Sequence, residues 1–276
     1  MNRLGKILIY TLLILLALLS VMPFLIMFVN ATRSTIEIQQ RALSLIPSSY
    51  LVDNWGHLMD AGAFNPLVGF RNSFIVSAGT TILAVYFSSL TAYALVAYDW
   101  KLRNVFFSFI MVILMIPGMI ASIGFFQFMW NVGLNNNLLP LIFPAIASPG
   151  VVFFMRQYLQ ATLSLEMVEA ARIDGSSEFA TFNKIVFPIM KPALATQAIF
   201  IMVMSWNQLF LPLVLNTRQD LFTMPVMVSL LSGNIYRREL GTIWLGLSLT
   251  VIPLFIFYAI LSKYIIAGVA LGGVKE

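Results

Sequence analysis

The stretch EAARIDGSSEFATFNKIVFPIMKP, Glu169–Pro192, decides how the rest of the chain is read. Long apolar segments flank it on both sides, and it fits neither a lipid-facing helix nor a short loop. Met167, Ala170, Ala171 and Asp174 recur at helical spacing and make a narrow face of mostly small residues. Asp174-Gly175 is a turn signal, because Gly175 accepts a positive φ and lets another backbone come close. Ser176 or Ser177 can cap the helix that follows. Phe179, Phe182 and Ile185 or Val186 then form an apolar stripe, which Pro188 and Pro192 end before the next hydrophobic run. The stretch reads as two short helices around a tight turn. A small docking surface with a charged rim, carried at a membrane edge, suggests contact with a soluble partner.

Composition places this segment in a membrane protein. Of 276 residues, 60% are hydrophobic and 10% charged, and the mean hydropathy is +0.91. A soluble domain carries about 25% charged residues, so solvent on all sides is excluded. With each span needing about 20 residues, a chain of this length has room for about six. The sixteen Lys and Arg are scattered, which leaves no nucleic-acid patch. With no Cys there is no disulfide framework, thiolate metal site or cysteine nucleophile. The single His, His57, supports neither a histidine metal cluster nor a triad.

The apolar runs predict six spans: Ile7–Val29, Asn72–Tyr98, Val105–Phe128, Leu138–Tyr158, Ala193–Leu215 and Thr242–Ile266. The first run is too long for the hydrophobic region of a signal peptide, which holds about 7–15 residues. Residues 30–71 read as polar and irregular. The second span is rich in Ser, Ala and Gly, which in lipid mark close helix packing. Pro117-Gly118 breaks the third span, and Pro140, Pro144 and Pro149-Gly150 interrupt the fourth. No soluble domain or repeat is visible, so 1–276 reads as one all-α transmembrane domain. The loop at about 160–192 is its one feature for docking a partner. With the N-terminus inside, only Arg33, Arg41, Arg71, Arg218, Arg237 and Arg238 fall outside, and the other ten Lys and Arg fall inside. The positive-inside rule then puts both termini and the Glu169–Pro192 loop in the cytoplasm.

No catalytic constellation survives inspection. There is no GxxxxGK[ST] loop, and the spans hold almost no ionisable residue. Glu166, Glu169, Asp174 and Glu178 crowd one loop. As a metal or acid/base site they would need a closed cavity, and they read instead as a solvated rim that pairs with a partner's Lys or Arg.

The Glu169–Pro192 stretch resembles the EAA loop of permease subunits from ABC-type importers. Glu169, Ala170, Ala171, Asp174, Gly175, Ser176, Phe182, Ile185, Pro188 and Pro192 match that pattern in register. Where the family often has a proline five residues before the Glu, this chain has Ser164. RNSFIVSAGTT (Arg71–Thr81), AYALVAYDWKLRN (Ala92–Asn104), GLNNN (Gly133–Asn137), WNQLFLPLVL (Trp206–Leu215) and GGVKE (Gly272–Glu276) are similar to the carbohydrate-import branch.

The resemblance implies a type I importer fold of six helices in a bacterial or archaeal cell membrane, moving a sugar or oligosaccharide by alternating access. The alternative within transport is a non-sugar solute such as a polyamine or peptide. The implied partners are a second permease subunit in a heterodimer, two ATPase subunits and an extracytoplasmic solute-binding protein. The chain itself is expected to be no enzyme and to hold no cofactor or metal, with ATP-Mg bound in the ATPase subunits. By the same resemblance Glu169, Ala170, Ala171, Asp174, Gly175, Phe182 and Pro188 couple to the ATPase. Gly272 and Gly273 in the Gly-rich tail can reach it too, although the tail ends in Lys275-Glu276 where a terminal Gly is common.

Within the fifth span, Trp206, Asn207 and Gln208 are the polar and aromatic group suited to line a sugar path. Amides both donate and accept hydrogen bonds, as sugar hydroxyls do. The plainer reading of Asn207 is glue between helices, and both readings stand at this point.

Overall fold

The structure, a computed structural model, describes residues 3–62, 64–233 and 239–273, with side chains through Ile260. Every regular element among the described residues is helical. Four helices are long and apolar enough to cross a membrane, and two bent helix pairs raise the number to six. The chain forms two compact units, Met1–Pro66 with Val226–Pro253 and Leu67–Pro225 with Leu254–Glu276.

In the first unit, α1 (Arg3–Asn30) is apolar on all sides and buries only Met27 and Asn30, as a helix solvated by lipid does. The segment read as irregular folds into α2 (Thr35–Gln40) and α3 (Leu51–Asp60). The signal was present in Ser34 and Glu37, which form a complete capping box. Glu37 is held below the usual carboxylate range, chiefly by the Ser34 backbone N–H it accepts. Arg33 is buried yet satisfied: its guanidinium donates to the Asn30 side chain (3.0 Å) and to the carbonyls of Arg41 (2.7 Å) and Glu37 (2.8 Å). The Asn54 amide donates to the carbonyls of Ala31 (2.9 Å) and Arg33 (3.0 Å) and ties α3 to this turn. A Cβ on Gly241 would stand 2.3 Å from the Arg33 carbonyl oxygen and 2.5 Å from the Asn54 amide nitrogen. Only glycine lets the first turn of the last helix approach so closely.

The second unit is built on α4 (Pro66–Ala97), which buries Ser73, Ser77, Ala84, Ser88, Ser89 and Ala92. Ser77 and Ser89 donate back to the carbonyls four residues earlier, at 2.6 and 2.5 Å. Their polar atoms are thereby satisfied, and neighbouring helices pack on a smooth surface. The third span is the pair α5 (Arg103–Leu114) and α6 (Gly118–Asn131), bent 94° at Pro117-Gly118. After α6, Gly133 (φ 71°) and Asn136 (φ 53°) turn the chain, and the Asn136 side-chain Oδ1 accepts from the Thr217 backbone N–H at 2.7 Å. Next come α7 (Leu139–Ile142), α8 (Pro149–Thr162) and α9 (Leu165–Ile173). Beyond the Gly175 turn lie α10 (Glu178–Thr181), one π turn (Phe182–Val186), α11 (Phe187–Ile189) and α12 (Lys191–Trp206).

The fifth span differs from its expected bounds of Ala193–Leu215. Helix α12 stops at Trp206, and α13 (Phe210–Leu215) is a separate helix. Pro212 explains the break: it has no N–H to give the Gln208 carbonyl, and its ring collides with a helical carbonyl there. The helical stretch Glu178–Ile189 meets Lys191–Trp206 at 80°. Finally α14 (Met224–Gly233) and α15 (Leu240–Gly273) complete the described chain. Helix α15 takes in Ala267–Gly273, expected as a loose tail, since Ala and Leu there are strong helix formers.

Candidate functional site

Two features of the second unit bear on the expected site residues: the Leu165–Pro192 segment and a cavity beside α12. Ser164 holds extended backbone at the N-cap of α9 (φ −78°, ψ 125°). Val168 and Ala171 are the inward face of α9. Glu169, Ala170 and Asp174, three of the expected coupling residues, are exposed. Gly175 has φ 78°, the left-handed conformation the turn demands, and its N–H reaches the Arg172 carbonyl at 3.0 Å. A Cβ there would meet nothing of this chain within 4 Å. Ser177, rather than Ser176, caps α10 through the Ala180 N–H.

The apolar stripe expected along Phe179, Phe182 and Val186 divides in two. Phe182 and Val186 are fully buried, whereas Phe179 is 64% exposed. Phe182 stands among Tyr86, Tyr93 and Phe187, with ring centroids 5.7–5.8 Å away. It is the foot that seats the segment on α4. Pro188 is half-buried in the first turn of α11. The outward surface therefore consists of Ile173 (86% exposed) and Phe179, rimmed by Glu169 and Asp174. Ile173 escaped the sequence reading because its spacing fits no inward stripe.

Arg172, Tyr98 and Tyr93 were also missed. Arg172 Nε donates to the Glu178 carboxylate at 2.7 Å, across the turn. The Tyr98 hydroxyl, just past the end of α4, donates to the same carboxylate, and Tyr93 reaches it at 3.4 Å. The Arg172 guanidinium also lies 5.2 Å from the Tyr98 ring centroid. Glu178 is thus a clamp within this chain, where the sequence suggested a free rim charge.

The cavity has a volume of about 500 Å³. Val76 and Thr80 of α4, Ser148–Val151, and Gln197, Phe200, Met204 and Ser205 of α12 line it, together with Gln208 and Pro212. Its walls are mostly apolar, and its polar groups are the amides of Gln197 and Gln208 and the hydroxyls of Thr80, Ser148 and Ser205. Among the described residues, no charged side chain lines it. Of the three residues expected on the path, only Gln208 is here. Asn207 is exposed at the end of α12 and is not among the lining residues. Trp206 is 2% exposed and packs between the rings of Phe70 (6.4 Å) and Phe257 (5.8 Å). Gln197, in the second turn of α12 and eleven residues before Gln208, is a lining amide without a signal in the sequence, since an isolated amide in an apolar run has no periodicity. Gly272 and Gly273 lie in the last turn of α15, and Lys275-Glu276 fall outside the described residues.

A multi-pass helical membrane protein with an uncharged cavity and a turn presented on a clamped helical segment is a permease. The chain belongs to the family described as binding-protein-dependent transport system inner membrane component, whose model matches residues 84–270. It is 37% identical to the arabinooligosaccharides transport system permease protein AraQ of Halalkalibacterium halodurans, over 94% of this chain and 92% of that one. It is 31% identical to the lactose transport system permease protein LacG of Rhizobium radiobacter, over 99% and 98%. It is 31% identical to the sn-glycerol-3-phosphate transport system permease protein UgpE of Escherichia coli, over 94% of each. In fold it is similar to a chain of a bacterial ABC transporter involved in the import of the acidic polysaccharide alginate. The TM-score is 0.80 and the identity 24%, covering 95% of this chain and 96% of that one. The chain is therefore a transport subunit of an ABC importer and not an enzyme, and ATP hydrolysis belongs to a separate subunit.

Proposed function

We propose that this permease forms half of the path for a neutral sugar or oligosaccharide, paired with a second, different permease subunit. The observation that carries the reading is the lining of the cavity: amides and hydroxyls on apolar walls, with no charge. Moving a sugar hydroxyl away from water without a partner costs several kcal/mol, on the order of 2–7, and amides and hydroxyls offset that. A polyamine would want carboxylates in the wall and a phosphorylated solute would want cations, so the lining speaks against both. The likeness to AraQ and LacG supports the same class.

In this reading two ATPase subunits, which bind ATP-Mg, dock on the Ile173–Gly175–Phe179 surface, and a solute-binding protein delivers the sugar from outside. Both termini and the docking segment are cytoplasmic, in keeping with the Lys and Arg distribution. The test is uptake by cells lacking their own sugar importers but carrying this chain with its partner subunits. Labelled pentose or hexose oligosaccharides should accumulate in an ATP-dependent way. Uptake of polyamines with no uptake of any sugar would reject the proposal. Reporter fusions after Glu276 and within Glu169–Pro192 check the orientation, and both should report cytoplasm.

A further inference from the structure

We propose that the crevice formed by residues 99–104, α5 and α8 binds the phosphate of an anionic phospholipid, in the leaflet on the same side as the coupling segment. Arg156 of α8 lies flat on Phe107 of α5, its guanidinium carbon 4.0 Å from the ring centroid. Phe107 in turn stacks on Phe153 (6.5 Å between centroids, 15° between planes), so the arginine is held by aromatic packing. One Nη donates to Gln160 at 3.2 Å, Nε is buried without a partner, and no carboxylate among the described residues pairs with this side chain. An arginine in a membrane-length helix with no counter-ion is costly and calls for an anion.

Arg103 is four residues before Phe107 on α5, so it rises from the same helical face. It donates to the Tyr98 carbonyl at 3.1 Å, and its ion-pair partner among the described residues is Asp99 at 3.7 Å, whose side chain is 95% exposed. Such an exposed pair neutralises little. Lys101, Arg103, Trp100 and Asn104 line a recess of about 310 Å³ in this turn. Lys101 and Arg103 thus face one solvated carboxylate in the recess, and Arg156 lies beside them on Phe107, one turn further along α5.

The depth suits a headgroup. The turn joins two membrane helices, and Trp100 sits there half-exposed against Phe106, as interfacial tryptophans do. The Tyr98–Glu178 hydrogen bond fixes this end of α4 beside the coupling segment. From the recess, Val105, Phe109 and Val112 continue along α5 as an exposed apolar stripe on which acyl chains can lie. That stripe favours a lipid over free phosphate. The inference does not rest on the transported solute or on which side is the cytoplasm.

The test uses the full-length chain with its partner subunits in phosphatidylcholine vesicles, probed with trace spin-labelled phosphatidylglycerol or phosphatidylcholine. The preference for phosphatidylglycerol should fall about fivefold for Arg103→Gln and again for Arg156→Gln, as expected for each basic group near an anionic headgroup. Arg156→Lys, which keeps the charge, should retain most of it. Arg41→Gln, an exposed arginine at the end of α2, should leave it unchanged. Arg103→Gln removes one hydrogen bond to the Tyr98 carbonyl and one exposed ion pair, so it decides the matter even if Arg156→Gln does not fold. Equal preference in wild type and both Gln variants, or an equal loss in Arg41→Gln, would overturn the site. Displacement by inorganic phosphate at equal strength with and without acyl chains would reassign it to a free anion and overturn the lipid assignment.

Discussion

Arg172 and Glu178 close the Gly175 turn from outside, with Nε 2.7 Å from the carboxylate. Tyr98 binds the same carboxylate, so one side chain fixes the shape of the turn and its attachment to α4. The pair is partly exposed and adds little to global stability. Its value is positional: a force applied at the turn reaches α4 through Glu178 as well as through the buried Phe182.

Glu178→Gln should therefore leave membrane insertion and expression unchanged while lowering uptake. Losing the equivalent of one hydrogen bond, about 0.5–1.5 kcal/mol, corresponds to roughly a two- to tenfold loss. Tyr98→Phe should act in the same direction and more weakly. ATPase activity that stays high while uptake falls would mark a coupling defect. Wild-type uptake in Glu178→Gln would remove the clamp from coupling.

Gly175 separates backbone strain from contact with the partner. The open space around it means a side chain collides with nothing in this chain, and Ala or Val there costs only the left-handed strain, about 1–2 kcal/mol. Asn tolerates that φ. If the ATPase needs close approach at this turn, Gly175→Asn should fold normally and still lose ATPase association. Gly175→Val should do more harm than Glu169→Gln, because Glu169 is exposed and outside the ion pairs of the chain. Co-purification of the ATPase subunits at wild-type yield in both glycine variants would end this account.

Three neighbouring residues should give three different phenotypes. Gln208→Leu removes an amide from the cavity wall and should weaken sugar uptake by about 1–2 kcal/mol, roughly five- to thirtyfold, with normal expression. Gln197→Leu should act alike. Asn207→Leu, at an exposed helix end, should change uptake less than Gln208→Leu. Trp206→Ala should lose folded protein rather than solute preference, since it empties the space between Phe70 and Phe257. Uptake assays paired with size-exclusion yield tell these apart, and a stronger effect at Asn207 than at Gln208 would restore Asn207 to the path.

Gly241→Ala should destabilise the first unit, because its methyl would overlap the Arg33 carbonyl and the Asn54 amide. Overpacking of this kind costs roughly 1–3 kcal/mol and sometimes more. Gly56→Ala, on open surface, is the control. Thermal unfolding in detergent should show a lower midpoint for Gly241→Ala alone.

The membrane architecture was legible because length and hydropathy are local quantities. A run of apolar residues such as Ile7–Val29 has no alternative in water, and Pro117-Gly118 marks a break wherever it is placed. The Gly175 turn and a cap at Ser176 or Ser177 could be read for the same reason, since their geometry is set by adjacent residues, and the structure chose Ser177. Helices α2 and α3 were missed although Ser34 and Glu37 spelled a capping box, because the surrounding polarity looked like a loop.

By itself the sequence determined that this is an all-helical, multi-pass permease with a tight turn at Gly175. Tertiary structure alone decided which apolar side chains of the docking segment face outward, that Trp206 packs inside while Gln208 borders the cavity, and that Glu178 is a clamp. The physical reason is that lipid and protein core are equally apolar. Hydrophobicity along a span therefore cannot say which face meets lipid, which meets a neighbouring helix and which meets a solute. Only the placement of α4, α8 and α12 against one another resolves that.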